Sequence, residues 1–231
     1  MKVVIHQPDF LSYLGFFRRL TQCDHFVVLD DAQFVSGTSR SWTHRDRIKT
    51  AAGPRWLTLR VNKAPLGTPI NRISLVDSPA WRQDCLNLVR EHYRTAEYFD
   101  EVFPELQAIF ANPETNLAKF NVDAILRINA LLDINVPLAH SSALATGGKS
   151  TERLIAILRK VGATSYLSGV GARAYLDESL FVAAGIELQW QQFDHPRYVQ
   201  LHGEFEPNLS CIDLLLNCGV EQSRRVLKAC R

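Results

Sequence analysis

Residues 1–34 read MKVVIHQPDFLSYLGFFRRLTQCDHFVVLDDAQF, and the division of this stretch into elements decides the fold. "KVVI" is a short β-branched run, the mark of a buried strand. It stops at His6, Gln7, Pro8 and Asp9. "YLGFFRRL" follows with apolar residues on one face and Arg18 and Arg19 assigned to the other, which predicts a helix. "HFVVLDDAQF" is a second strand that ends in acids. Strand, helix and strand in so short a span make a βαβ unit, and two parallel strands joined by a helix start an α/β fold.

The rest of the chain extends that start. "RWLTLRVN" predicts a third strand and "NRISLV" a fourth, with Pro65, Gly67 and Pro69 in the loop between them. From residue 79 to residue 133 the pattern turns helical. Ser78 and Pro79 are placed to open the first of these helices, and the second is either one helix or two pieces broken near Pro104. The α/β alternation then returns: "PLAHSSAL", "TSYLSG" and "IELQWQQF" as strands, "STERLIAILRKVG" and "ARAYLDESLFVAAG" as helices closed by Gly162 and Gly185. A capping box is expected at Ser150 or Thr151 with Glu152. "SCIDLLLNCGVEQSRRVLKAC" ends the chain in helix. The expected fold is α/β, Rossmann-like, with a mainly parallel sheet, flanking helices and a helical insertion over 79–133 within one domain of residues 1–231.

Composition narrows the function classes. The chain has 231 residues, 46% apolar and 22% charged, with a formal net charge of +2. Such a near-neutral balance argues against a nucleic-acid partner, and no apolar run approaches the roughly 20 residues that span a bilayer. The five cysteines lack the paired spacing of a zinc site, so no metal site is assigned, and they read as reduced thiols of a cytoplasmic protein. The N-terminus lacks the apolar stretch of a signal peptide.

Several segments carry candidate chemistry. "TGGKSTERL" resembles a phosphate loop, but Ala143 stands where its first glycine is required, so a turn and helix start is the better reading. "SGVGARAYL" follows a strand and supplies Gly169 and Gly171, which gives half of a dinucleotide fingerprint or a tight turn. "SRSWTHRDRIKT" gathers Arg40, Arg45, Arg47 and Lys49 with Trp42 and His44. Guanidinium forks suit phosphate or carboxylate and Trp offers a stacking face, so a nucleotide or phosphorylated small molecule fits this loop. Of Asp30 and Asp31, adjacent at a strand end, only one should face a pocket. "FDHPRYVQ" puts His195 and Tyr198 past a strand, where α/β ligand sites lie. Asp213 and Asn217 share a helix face among leucines and need partners or a ligand. Cys218, on the same helix, reads as an inert thiol.

"HQPDFLSYLGFF", "HFVVLDDAQF", "RSWTHRDRIKT", "TSYLSGVGARAYLD", "FDHPRYVQ" and "LSCIDLLLNCG", in that order, resemble the WbqC-like proteins of bacterial surface-polysaccharide gene clusters. The family pattern usually has Pro at the position of Ser12 and Ile or a similar residue at that of Cys211. The resemblance implies a role in O-antigen or related sugar pathways and leaves the reaction to be read from the residues. The layout after the first strand is also similar to nucleotidyltransferase-type folds, whose second motif histidine would fall at Phe16. The expected pocket gathers His6, Gln7, Asp9, Asp31, Trp42, Arg45, Arg47, Lys49, Ser168, Gly169, His195, Tyr198, Asp213 and Asn217. His6, His195 and Asp9 are the catalytic candidates and the others bind substrate. The expected activity is acyl or aminoacyl transfer to a nucleotide-linked or phosphorylated amino sugar, with no cofactor specified. The alternatives are nucleotidyl transfer with NTP and Mg²⁺, and a non-catalytic sugar-nucleotide-binding module.

Overall fold

The computed structural model describes residues 1–37 and 41–230. Five parallel strands form the main sheet: β1 (Lys2–His6), β2 (His25–Val28), β5 (Leu138–His140), β6 (Ser165–Ser168) and β7 (Glu187–Trp190). Their order across the sheet is β5-β2-β1-β6-β7. Chain order therefore reverses between β1 and β6, and this is the switch point of a doubly wound α/β sheet. Helix α1 (Leu14–Leu20) crosses from β1 to β2, as the opening stretch requires.

Alternation along the strands divides the core. Val4, Phe26, Val28 and Leu167 face one side, where they join the phenylalanines of α1 and the leucines of α7 (Cys211–Ala229). Val3, Ile5, Val27 and Tyr166 face the other, against α5 (Ser150–Lys160) and α6 (Glu178–Ala184). Both sheet faces are covered, so the middle residues of β1, β2 and β6 are apolar on both sides rather than alternating with polar ones. Helices α2 (Pro79–Tyr93), α3 (Phe99–Ala111) and α4 (Leu117–Leu131) pack into the first of these cores. No described helix is long and apolar enough to cross a membrane.

Some local expectations change. "RDRIKT" is a strand, β3 (Arg45–Thr50), paired antiparallel with β4 (Gly53–Thr58), and not a basic loop. Its alternation buries Asp46 and Ile48. "NRISLV" makes a 3-10 turn at Ile70–Arg72 and then only isolated bridges, Val61 to Leu75 and Ser74 to Asn116, instead of a fourth strand. Helix α3 runs unbroken through Pro104. Pro104 and Asp100 are both exposed, so the carbonyl that the proline leaves unbonded can meet water. The box at residues 150–152 does not form, because Lys149 occupies the N-cap and no side chain caps the helix. Ser78 does cap α2, and Gly162 and Gly185 close their helices at φ 72 and 68. "GVGARA" makes a 3-10 turn, with α6 beginning only at Glu178, so the dinucleotide fingerprint is not built. Arg40 lies outside the described residues.

Candidate functional site

The C-terminal ends of β1 and β6 open into a cleft of about 500 Å³, lined by His6, Gln7, Asp9, Trp42, Tyr166 and Tyr175 together with Ser150 and Arg153 from the start of α5. Ligands of open α/β sheets bind at this position, and the volume suits a small molecule. His6, Gln7 and Asp9 reach it because β1 ends at His6 and the chain turns at once, with the Asp9 N–H donating to the Gln7 carbonyl at 2.9 Å. Asn121 of α4 fixes that turn. Its wholly buried amide donates to the Pro8 carbonyl at 2.7 Å and to the Thr43 carbonyl at 2.6 Å. Thr43 in turn donates to Asp9 at 3.2 Å.

His6 Nδ1 lies 2.9 Å from the Gln7 carbonyl, which can only accept. The proton is therefore on Nδ1 and Nε2 is left as the acceptor. Burial, with the Arg19 charge added, holds His6 at about 3, so it is neutral. Burial drives Asp9 the other way, to about 7, against a hydrogen bond from Thr43 and the Arg19 charge. His6 Nδ1 and Asp9 Oδ2 are 3.7 Å apart, yet both shifts favour the neutral forms over an ion pair. Asp46, buried beside them, is raised chiefly by desolvation and also by the Asp9 charge.

The remaining candidates separate into groups. Asp31 meets the cleft through an ion pair with Arg153, while Asp30 bonds Ser141 and Ser142 and joins the ends of β2 and β5. Ser168 ends β6 and is buried, and Gly169 packs on the Arg19 guanidinium. Arg45 stacks on Trp56 at 4.1 Å and Arg47 lies 5.9 Å from the Trp42 ring, the two indoles being 5.3 Å apart. Lys49 is buried and donates to Gln200 and to the carbonyls of Gly203 and Glu204, away from the cleft lining.

Asp213 accepts hydrogen bonds from Tyr93, Tyr198 and Gln200 at 2.7, 3.0 and 2.9 Å. Asn217 accepts from the Leu201 N–H at 3.1 Å. These residues anchor the long segment 191–209 to α7. His195 sits in that segment among Phe193, Tyr198 and Phe205, not in the cleft lining. Burial raises the Cys218 thiol to about 11, which keeps it protonated.

Thr43, Asn121, Arg153 and Arg19 were not singled out by the sequence. Arg19 was placed on the solvent face of α1, but successive helical residues are about 100° apart, and Arg19 is turned inward to 4% exposure. Among the described residues no cluster of three or more His, Cys, Asp or Glu could hold a metal ion.

The molecule is thus a doubly wound α/β protein with a small-molecule-sized cleft at its switch point. It belongs to the WbqC-like protein family, which matches residues 7–225. It is 34% identical over 232 residues to the uncharacterized protein Rv1507c of Mycobacterium tuberculosis, covering 100% of this chain and 99% of that one. No solved structure matches it.

Proposed function

We propose that this chain is a transferase of surface-polysaccharide biosynthesis that acylates or aminoacylates the amino group of a nucleotide-linked or phosphorylated sugar in the switch-point cleft. The observation that carries this reading is the Asp9 carboxyl, set beside a neutral His6 and poised at about 7. An amine must be unprotonated to attack an acyl carbonyl, and a base is most effective when its pKa lies near the working pH. In the proposed step the amine nitrogen bonds the acyl carbon, the donor's leaving group departs with the electron pair of the broken bond, and the nitrogen's proton passes to Asp9. His6, held below the useful range, offers Nε2 as a hydrogen-bond acceptor. Trp42, which lines the cleft with Arg47 5.9 Å from its ring, presents a face on which a base or sugar stacks.

The test is incubation with UDP- or dTDP-linked amino sugars and acyl-CoA or aminoacyl donors, with product read by mass. Acylated sugar should form, and Asp9→Asn should lower turnover by at least about 100-fold, the usual worth of a general base. An equal loss in His195→Ala would move the base to the 191–209 segment. Tight binding without any product would make the chain a sugar-nucleotide-binding module.

A further inference from the structure

Arg19 is 4% exposed, its side chain makes no hydrogen bond or ion pair among the described residues, and its Nε is buried with no partner. A buried guanidinium without an anion is costly, so such residues normally sit in ion pairs. Its surroundings are built to admit it. A Cβ on Gly169 would lie 2.6 Å from Arg19 Nη1, although Gly169 has φ −73 and ψ 146, which any residue adopts. The absence of a side chain at 169 therefore serves the guanidinium and not the backbone. The Arg19 charge acts on His6, Asp9 and Tyr166, all of which line the cleft. Arg153, which pairs with Asp31, and Ser150 at the first turn of α5 line the same cleft, and the helix dipole is positive at that end.

We infer that Arg19, seated against Gly169 at the β1–β6 switch point, is the counter-charge for a phosphoryl group of the ligand, with Arg153 and the α5 N-terminus adding positive charge to the same cleft. This rests on the reading of the cleft as a ligand site. It moves phosphate recognition from the Arg45–Lys49 strand to a residue on α1.

Calorimetric titration of the full chain with UDP, glucose 1-phosphate, pyrophosphate and uridine tests it, the first three separating nucleotide, sugar and bare phosphoryl sources. Arg19→Met should weaken the phosphorylated probes about ten- to a hundredfold, the worth of a hydrogen bond to a charged group. Uridine binding should not change. Without ligand, Arg19→Met should melt at the same temperature as the parent or higher, because it removes an uncompensated charge. A lower melting temperature would show a structural charge and overturn the inference. Gly169→Ala displaces the same guanidinium without removing it and should weaken the same probes. In the double variant with Arg19→Met, the alanine should have no further effect. If the parent binds uridine but none of the phosphorylated probes more tightly, the anion site falls while the cleft remains a ligand site. If UDP binding survives in both single variants, the inference alone falls. If no probe binds the parent, both fall.

Discussion

Between about pH 4 and 6.5 the Asp9–His6 pair holds one titratable proton, and burial places it on the carboxyl. A buried carboxyl at about 7 beside an imidazole at about 3 is the reverse of their ordinary order. Desolvation causes both shifts, because each neutral form avoids a charge in an apolar surrounding. As the proposed base, Asp9 must be ionised, so kcat/KM should rise with pH as a single titration centred near 7 and level off above it. A rate–pH profile of the parent chain checks this, and a rise centred near 4 would show that Asp9 is not the titrating group. His6, Gln7 and Asp9 were legible in the sequence because an apolar run ended abruptly in polar residues, and in an α/β fold strand ends point to the ligand. Arg19 was not legible. In "FFRRL" both arginines look solvated, and only the inward rotation of α1 shows that one of them is buried. His195 looked equivalent to His6 at a strand end, but three aromatic rings hold it within the 191–209 segment.

At the scale of elements, the helices between β4 and β5 reach the site through one side chain. Asn121 of α4 holds the turn after β1 and the start of the Trp42–Thr43 segment with two hydrogen bonds to carbonyls. Asn121→Leu would leave both carbonyls buried without a donor, at a cost of about 2–4 kcal/mol from two unmet groups. Urea unfolding should show that loss as a lower midpoint with an unchanged slope. Binding should also weaken if the turn positions Asp9. The helices themselves were plain from their apolar spacing. Their coupling to the site was not, since an Asn in "AKFNVDAIL" gives no sign of which carbonyls it will meet. Strand β3 was not legible for a related reason. Its charges read as a ligand-binding basic loop, whereas Tyr93 accepts from the Lys49 N–H and the Lys49 ammonium finds carbonyl partners. A buried charge with enough acceptors is compatible with a strand that composition alone would leave in solvent.

At the scale of the whole molecule, the strand order brings together groups far apart in sequence, and their opposed shifts should be visible in global stability. Asp9 is raised from 3.8 to about 7, so it stabilises the fold fully below 3.8, and that contribution is lost as pH rises through 7. His6 is lowered from 6.5 to about 3, so its contribution is present above 6.5 and is lost as pH falls through 3. Between about pH 4 and 6.5 the folded pair binds one proton, on Asp9. The unfolded pair also binds one, on His6. The two slopes cancel, and the parent protein should show no pH dependence from this pair. Single variants remove the cancellation. Relative to the parent, Asp9→Asn should gain stability as pH rises across that window, and His6→Asn should lose it. Each slope should approach about 1.4 kcal/mol per pH unit, the value for one proton. Both side chains are largely shielded, at 27% and 14% exposure for His6 and Asp9, so screening should leave most of the slope. Urea unfolding of the three proteins at half-unit steps of pH measures it. Parallel curves would mean that the proton stays on His6 in the folded state, and Asp9 would then be an ordinary ionised carboxylate with no reserve of basicity near neutral pH.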